Sequence, residues 1–125
     1  MALSALALNC TLKRGDAASS TDKLLQEVLA ELQPHGVSGQ IVRVANLDVK
    51  PGVTSDEGDG DAWPTLRQQI LSADILILGT PIWLGQPSSV AKRVLERMDA
   101  FLEETDAKGR MPAFGKVAVA AVVPS

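Results

Sequence analysis

Short apolar runs alternate with longer amphipathic stretches along the whole chain. Residues 3–8, 40–45, 73–78 and 116–123 are apolar runs of strand length. Between them, apolar residues recur at three- and four-residue spacing, which is the period of a helix with one buried face. The order strand-helix-strand-helix-strand-helix-strand predicts a parallel sheet with right-handed crossovers and helices on both faces.

The predicted helices are bounded by residues that start or stop helices. Ser19 or Ser20 is a natural N-cap for the first helix, and Pro34 and Gly36 should end it. Trp63-Pro64 should open the second helix, with Asp61 or an adjacent residue as its cap. The third helix is expected between residues 90 and 102.

Composition narrows the class of protein without identifying it. The 125 residues suit one domain, here 1–125, and 46% hydrophobic residues with a mean hydropathy of +0.11 are enough for a buried core. A net charge of -3 and a pI near 5.0 argue against nucleic-acid and anionic-membrane partners. One Cys, no spanning apolar run and no basic segment at the N-terminus indicate a cytoplasmic protein without a signal peptide.

A hydroxyl-rich segment, residues 9–21, follows the first predicted strand and leads into a helix N-terminus. Backbone N–H groups and the helix dipole favour an anion there, and Lys13 or Arg14 is available as a cation. The charge of Asp22 opposes a phosphate, and from this loop alone ordinary capping explains the serines better than phosphate binding does. The segment has neither G-x-x-x-x-G-K-[ST] nor G-x-G-x-x-G. These absences argue against P-loop and Rossmann sites and leave a mononucleotide with a terminal phosphate.

An unusual apolar segment, residues 79–89, follows the third predicted strand, and we expect it to form a loop. Pro81 and Pro87 stiffen it, and Gly85 allows close approach of a ligand to the backbone. A planar heteroaromatic ligand needs an apolar surface with backbone N–H and C=O groups at its edge. The alternative, equally weighted, is that the apolar residues only cover the sheet's core; they are Ile82, Trp83 and Leu84.

Other polar residues carry weaker signals. The acidic residues of segment 54–61 do not match the spacing of an EF-hand, so we expect a solvated, mobile loop and no metal site. Whether this loop borders a ligand or a subunit contact stays open. Cys10 is expected to be buried at a strand end, with a redox role left open, and His35 should lie at a helix end.

Two segments resemble a known family. The first strand, the hydroxyl-rich loop and the opening Ser20-Thr21-x-x-Leu24 look like the first element of NADPH-dependent FMN reductases and flavodoxin-like quinone reductases. Residues 79–89, running into Lys92-Arg93, are similar to that family's flavin-ring loop and following helix. The resemblance covers essentially the whole chain, and its second motif is the more specific.

The resemblance implies a flavodoxin-like doubly wound sheet with strand order 2-1-3-4, FMN as cofactor and NAD(P)H as co-substrate. The flavin would carry hydride to a quinone, a free flavin or another small acceptor, so no side chain is expected to be catalytic. Family members are commonly homodimers or homotetramers. By position, the residues implied for the FMN phosphate are Thr11, Lys13, Ser19, Ser20 and Thr21, and those for the isoalloxazine ring are Pro81, Ile82, Trp83, Leu84 and Gly85.

The sequence also departs from the family's pattern. Cys10-Thr11 stands where many members have Gly-Ser, and the loop before Ser20 is long. The family's fold continues with a further helix, a fifth strand and a last helix, so we expect a truncated chain, the N-terminal part of a longer domain, whose fourth strand is an open apolar edge. The alternatives are a flavodoxin-type electron carrier, a receiver-like module, which Asn9-Cys10-Thr11 argues against, and a fragment that does not retain FMN.

Overall fold

A computed structural model describes residues 2–124. The described residues fold into five strands and three α-helices, with short 3-10 turns at Gln33–His35, Val44–Asn46 and Asp99–Leu102. No helix among the described residues is long and apolar enough to cross a membrane. In chain order the elements are β1 (Leu3–Asn9), α1 (Ser20–Leu32), β2 (Val37–Arg43), α2 (Trp63–Ser72), β3 (Ile75–Trp83), β4 (Gln86–Pro87), α3 (Ser89–Met98) and β5 (Val117–Pro124).

Four strands form the parallel sheet that the sequence predicts. Their order is β2-β1-β3-β5, so the predicted order 2-1-3-4 is confirmed, with β5 as the predicted fourth strand. The predicted fourth strand is labelled β5 because a two-residue strand, β4, precedes it in the chain. This short strand was not predicted from the sequence, and it pairs antiparallel with the end of β3. The fold is α/β and flavodoxin-like.

The predicted boundaries of two strands are wrong. The second strand was expected over residues 40–45, but β2 begins at Val37, directly after Gly36 turns the chain at φ 81°. It ends at Arg43 because the next three residues form a 3-10 turn. The third strand was expected to end at residue 78, but β3 continues to Trp83 because β4 and β5 supply hydrogen-bonding partners. Residues 79–83 are therefore strand and not loop.

Helices pack on both faces of the sheet, and successive side chains of β1 point to one face and then to the other. Leu8 lies in a buried cluster with Trp63 of α2 and Val94 of α3. Ala7 lies in the opposite cluster with Leu25 of α1. Each large apolar side chain buried in this way contributes about 1.5–3 kcal/mol. These two clusters hold the N-termini of α1 and α3 at the same edge of the sheet, on opposite faces.

A glycine brings α1 close to the sheet just below that edge. A Cβ added at Gly79 of β3 would lie 2.8 Å from Leu25 Cδ1, and Leu25 is completely buried. Such a distance is too short for a real Cβ contact, so α1 can pack this closely because residue 79 has no side chain. The second turn of α1, which carries Leu25, is therefore fixed beside Gly79 in the middle of β3.

Candidate functional site

The carboxyl ends of β1 and β3 form a step at one edge of the sheet. Asn9, the last residue of β1, pairs with Gly79, so β3 extends four residues beyond β1. These four residues and β4 form a short hairpin that projects past the loop after β1. In open parallel sheets ligands bind at this edge. The two segments that the sequence indicated thus belong to one site region.

The hairpin exposes an apolar tip. Trp83 pairs with Gln86, and Leu84 and Gly85 between them have φ 52° and 72°, as a two-residue type I′ turn requires. Leu84 is the one non-glycine residue with positive φ among residues 2–124, and its side chain is fully exposed. Trp83 is 43% exposed. A strained backbone that presents apolar side chains to solvent is a feature typical of binding sites.

Not all five residues implied for the flavin ring lie at the tip. Trp83, Leu84 and Gly85 project from the edge, whereas Pro81 is buried and Ile82 half-buried within β3. Ile82 lies in register with Pro87 and with the last described residue of β5. The structure therefore makes Pro81 and Ile82 the base of the hairpin and Trp83, Leu84 and Gly85 its exposed tip.

The N-terminus of α1 gathers three of the five residues implied for the phosphate. Lys13, Ser19 and Ser20 line one shallow depression. The Lys13 ammonium donates to the Ala18 carbonyl (2.8 Å), which closes the loop over the helix start. Ser19 is the N-cap and accepts from the Asp22 backbone N–H (3.1 Å), and Ser20 is exposed. Capping uses the Ser19 oxygen as an acceptor, so its hydroxyl proton can still be donated to an anion.

Thr11 and Thr21 do not join that depression. The Thr11 side chain is 5% exposed, and its oxygen accepts from the Lys13 backbone N–H (3.3 Å). Thr21 is 3% exposed within the first turn of α1. Both hydroxyls are covered by protein, so they shape the loop from inside and do not line its surface.

A buried hydrogen-bond chain joins the loop after β1 to the hairpin. The Ser88 hydroxyl donates to the Cys10 carbonyl (2.7 Å) and accepts from the Ala91 N–H at the start of α3 (3.0 Å). The Ser88 N–H donates to the Thr80 hydroxyl (3.0 Å), which in turn donates to the Pro81 carbonyl (2.8 Å). Ser88 is 1% exposed. These bonds fix the spacing between the two segments before any ligand arrives.

The end of β2 holds the loop after β1 from the other side. The Asn46 side chain accepts from the Gly15 N–H (2.7 Å) and donates to the Gly15 carbonyl (3.2 Å). Arg43 donates to the Ala17 carbonyl (2.9 Å). The start of α3 on one side and the end of β2 on the other thus hold this long loop in place.

The acidic segment before α2 is anchored at Asp61, which corrects the expectation of a solvated loop at this residue. The Asp61 and Arg97 side chains have no exposed surface and form two charge-assisted bonds of 2.9 and 2.6 Å. The Arg97 guanidinium also donates to the carbonyls of Lys50 and Thr54, and it lies 5.5 Å from the centre of the Trp63 ring. Hydrogen bonds from Arg97, and then from backbone N–H groups, hold the pKa of Asp61 well below its usual range.

The Asp61 carboxylate also accepts a hydrogen bond from the Trp63 N–H at the start of α2 (3.1 Å). The α2 N-cap itself is Ala62, which makes no side-chain cap bond.

Cys10 is completely buried, as expected at a strand end. Burial raises the pKa of its thiol to about 12. Because a thiolate is the reactive form, the neutral thiol here is a packing group, and the redox role left open from the sequence has no support.

FMN fits these residues. A phosphate needs hydroxyl donors and a cation at a helix N-terminus, as found at Lys13, Ser19 and Ser20, and a flavin ring needs an apolar platform, as found at the hairpin tip. Asn9 adds a further sign that the edge is built for polar contacts. Its side-chain oxygen accepts from the Thr11 N–H (3.0 Å), while its buried amide nitrogen has no partner among the described residues.

A family model for NADPH-dependent FMN reductases matches residues 3–125. The chain belongs to this family. FMN is the family's cofactor and NADPH its reductant, as the resemblance implied.

Three related proteins show how far the similarity extends. A divalent metal cation transporter, MntH, of Mycobacterium bovis is 38% identical over 91% of this chain and 17% of its own length. An 8-demethyl-8-aminoriboflavin-5′-phosphate synthase of Streptomyces davaonensis is 33% identical over 94% of this chain and 49% of its own length. The structure of RosB with 8-demethyl-8-formylriboflavin-5′-phosphate matches 99% of this chain and 53% of its own, with 31% identity and a TM-score of 0.88. This chain thus spans at most about half the length of each.

Sequence reasoning missed the residues that hold the site's segments together. Ser88 was assigned to a loop, but it follows Pro87 directly before an amphipathic stretch, and this N-cap signal was present in the sequence. Asn46 and the Asp61–Arg97 pair act across at least 31 residues of sequence, so no local pattern reveals them.

Proposed function

We propose that this chain binds FMN between the N-terminus of α1 and the β3–β4 hairpin, as part of an NAD(P)H-dependent flavin oxidoreductase. One observation carries the proposal: the hydroxyl and ammonium groups at α1 and the exposed apolar hairpin tip lie at the ends of the adjacent, hydrogen-bonded strands β1 and β3. That arrangement suits a ligand with an anion at one end and a planar ring at the other.

Each group has a definite task in this proposal. Ser19 and Ser20 donate hydroxyl protons to the phosphate, and Lys13 balances its charge, supported by the positive end of α1. Trp83 and Leu84 cover an apolar face of the ring and keep water from it, while Gly85 allows the backbone to approach the ring's edge. When bound, FMN supplies the hydride chemistry that none of these side chains can perform.

The site assignment is tested by titrating the protein with FMN and with riboflavin, following flavin fluorescence. The phosphate makes FMN bind at least about tenfold more tightly than riboflavin if two charge-assisted hydrogen bonds are formed. Ser20→Ala should reduce this ratio, whereas Ser89→Ala, an exposed serine of α3, should leave it unchanged. Equal affinity for the two flavins would refute the phosphate site, and no affinity for either would refute flavin binding.

The reaction is tested by NAD(P)H oxidation with a quinone and with free flavin as acceptors. Turnover by flavin-loaded protein supports an oxidoreductase, and flavin binding without turnover favours a flavodoxin-type carrier. The acidic charge balance and single buried Cys support a reducing, cytoplasmic environment, and the exposed hairpin tip supports a homodimer or homotetramer that covers it.

A second function follows from the similarity to RosB and to the Streptomyces synthase. In the names of these two proteins a flavin phosphate is an intermediate or a product and not only a cofactor. The same cradle in this chain would then hold a flavin phosphate as substrate. Mass spectrometry of FMN recovered after incubation with protein distinguishes the two, because an oxidoreductase returns FMN of unchanged mass.

A further inference from the structure

The outer edge of β2 is an open strand edge. Within residues 2–124, β2 pairs with β1 along its whole length and has no strand on its other side. Such an edge presents unpaired N–H and C=O groups to any extended segment, and proteins usually protect it with lysines, prolines, bulges or a very short strand. The seven residues of β2, V-S-G-Q-I-V-R, contain no lysine and no proline, and their register with β1 is continuous.

The single charge of β2 does not protect this edge. The Arg43 guanidinium donates to the carbonyls of Lys13 and Ala17, at 3.5 and 2.9 Å, and is held against the loop after β1. The edge from Val37 to Val42 therefore carries no charge.

The surfaces on both faces of the edge are uncharged as well. On the α1 face, the groove beside residues 36–39 is lined by Gln26, Leu29, Ala30 and Gln33. On the opposite face, the groove beside Gln40 and the start of β1 is lined by Thr65, Gln68, Gln69 and Ser72. In a chain with 22% charged residues, a charge-free strip over both faces of one edge indicates a contact surface, because charged residues are depleted at the centre of protein interfaces.

The strand is complementary to itself in an antiparallel register centred on Gln40. A twofold axis at this residue places Gly39 of one copy opposite Ile41 of the other, and directly opposed residues share a face of the sheet. That face is the α1 face, since a Cβ at Gly39 would meet Leu29 of α1 and Ile41 packs in the cluster on the same side. Ile41 of each copy then lies beside the half-buried Leu29 of the other, because Gly39 has no side chain between them.

The opposite face suits the same register. Gln40 meets Gln40 of the second copy on the axis, and two side-chain amides can each donate to and accept from the other. Ser38, which is small, lies opposite Val42, which is half-buried on this face. Each pair thus combines residues of matching size or polarity.

We propose that the β2 edge is an augmentation surface and that its occupant is β2 of a second copy of this chain, which joins the two parallel sheets into one. Antiparallel pairing over the seven residues supplies roughly six to eight backbone hydrogen bonds. The arrangement is closed, because each copy uses its β2 edge once, so it gives a dimer and not a fibre.

This surface is distinct from the hairpin tip. β1 lies between β2 and β3, so the β2 edge is about 10 Å from the strand that carries the hairpin, on the far side of the sheet. The pairing needs no flavin, and its success or failure is therefore independent of the proposed FMN site.

Sedimentation equilibrium tests the proposal, with an expected mass of twice the 13.2 kDa of one chain. Gln40→Lys places two like charges face to face on the axis and should weaken the association at least about tenfold, and Gln40→Glu should do the same. An equimolar mixture of the two variants should associate again, because lysine then opposes glutamate. The control Ala107→Lys adds the same charge at an exposed position after α3 and should leave the association unchanged.

The other surfaces provide the contrary outcomes. Val119→Lys, at an exposed position of β5, and Leu84→Ala, at the hairpin tip, should both leave the association intact. Loss of the dimer in either of them, with the dimer of Gln40→Lys retained, would overturn the proposal, as would a protein that stays monomeric at its highest soluble concentration. Renewed association in the mixture supports the proposal and shows that both Gln40 variants are folded, whereas a mixture that stays monomeric would overturn it.

Discussion

Replacing Asp61 with asparagine removes the charge that anchors the segment between β2 and α2. The carboxylate accepts five hydrogen bonds, three from backbone N–H groups and two from Arg97. An asparagine oxygen in the Oδ1 position keeps three of these bonds. Its amide nitrogen then faces two donors, the Glu57 N–H and one Arg97 nitrogen, which lose their acceptor.

The expected loss of stability is large because both side chains are buried. Breaking a fully buried ion pair by removing one partner costs about 3–5 kcal/mol, since the remaining charge is left without compensation. Domains of this size are stable by only about 5–15 kcal/mol, so Asp61→Asn should lose a substantial part of the total. The change also loosens the segment between β2 and α2 at Glu57, because the Glu57 N–H loses its acceptor.

Urea denaturation at neutral pH measures this loss. The matched control is Asp59→Asn, which changes the same charge in the same segment at an exposed position and should stay within about 0.5 kcal/mol of the unaltered protein. A loss of less than about 1 kcal/mol for Asp61→Asn would refute the reasoning.

The pH dependence provides a second check on the same pair. The folded protein lowers the pKa of Asp61 below the unfolded value of about 3.9, so the stabilisation is complete above that value and is lost as the pH falls through the folded pKa. The difference between Asp61→Asn and the unaltered protein should therefore be constant from about pH 5 to 8 and shrink below about pH 4. A constant difference down to the acid limit of folding would contradict this account.

Three further changes test other parts of the site. Ser88→Ala removes the acceptor of the Ala91 N–H and the donor to the Cys10 carbonyl, and should cost about 1–2 kcal/mol in urea denaturation, with no loss in the exposed control Ser89→Ala. Leu84→Gly relieves the positive φ and should stabilise by up to about 1 kcal/mol while weakening FMN; Leu84→Ala should weaken FMN without the gain. The Cys10 thiol should resist iodoacetamide at pH 8 in the folded protein and react after unfolding, so equal rates would contradict its burial.

The fold was predictable because its strands and helices have strong local signals. Apolar runs of strand length placed β1 and β5 to within a residue, and Ser19 was identified as a possible cap before its bond to Asp22 was known. The start of β2 was missed because Ser38 and Gly39 are weak strand formers that pair only because β1 lies beside them. Strand pairing of this kind is a tertiary effect and leaves no local pattern.

The hairpin shows a different limit. Type I′ turns are usually signalled by Asn-Gly or Asp-Gly, and Leu84-Gly85 lacks that signal because leucine disfavours positive φ. The same mismatch that hid the turn from sequence reasoning is what marks the tip as a candidate contact surface. Local rules fail most often where a residue is retained for a role other than folding.

Neighbouring residues of the loop after β1 lie on opposite faces of the sheet, so the residue types alone did not show which of them lie at the α1 N-terminus. In β1, Leu6 and Leu8 pack on the α3 side and Ala5 and Ala7 on the α1 side. Beyond the strand the loop continues to divide its side chains, with Lys13 on the α1 side and Arg14 on the α3 side. From the sequence alone, Lys13 and Arg14 are equal candidates for the cation beside one phosphate. In the structure they line depressions on opposite sides of the loop. Lys13→Gln should therefore weaken FMN binding in a fluorescence titration, whereas Arg14→Gln, on the other side of the loop, should leave it unchanged.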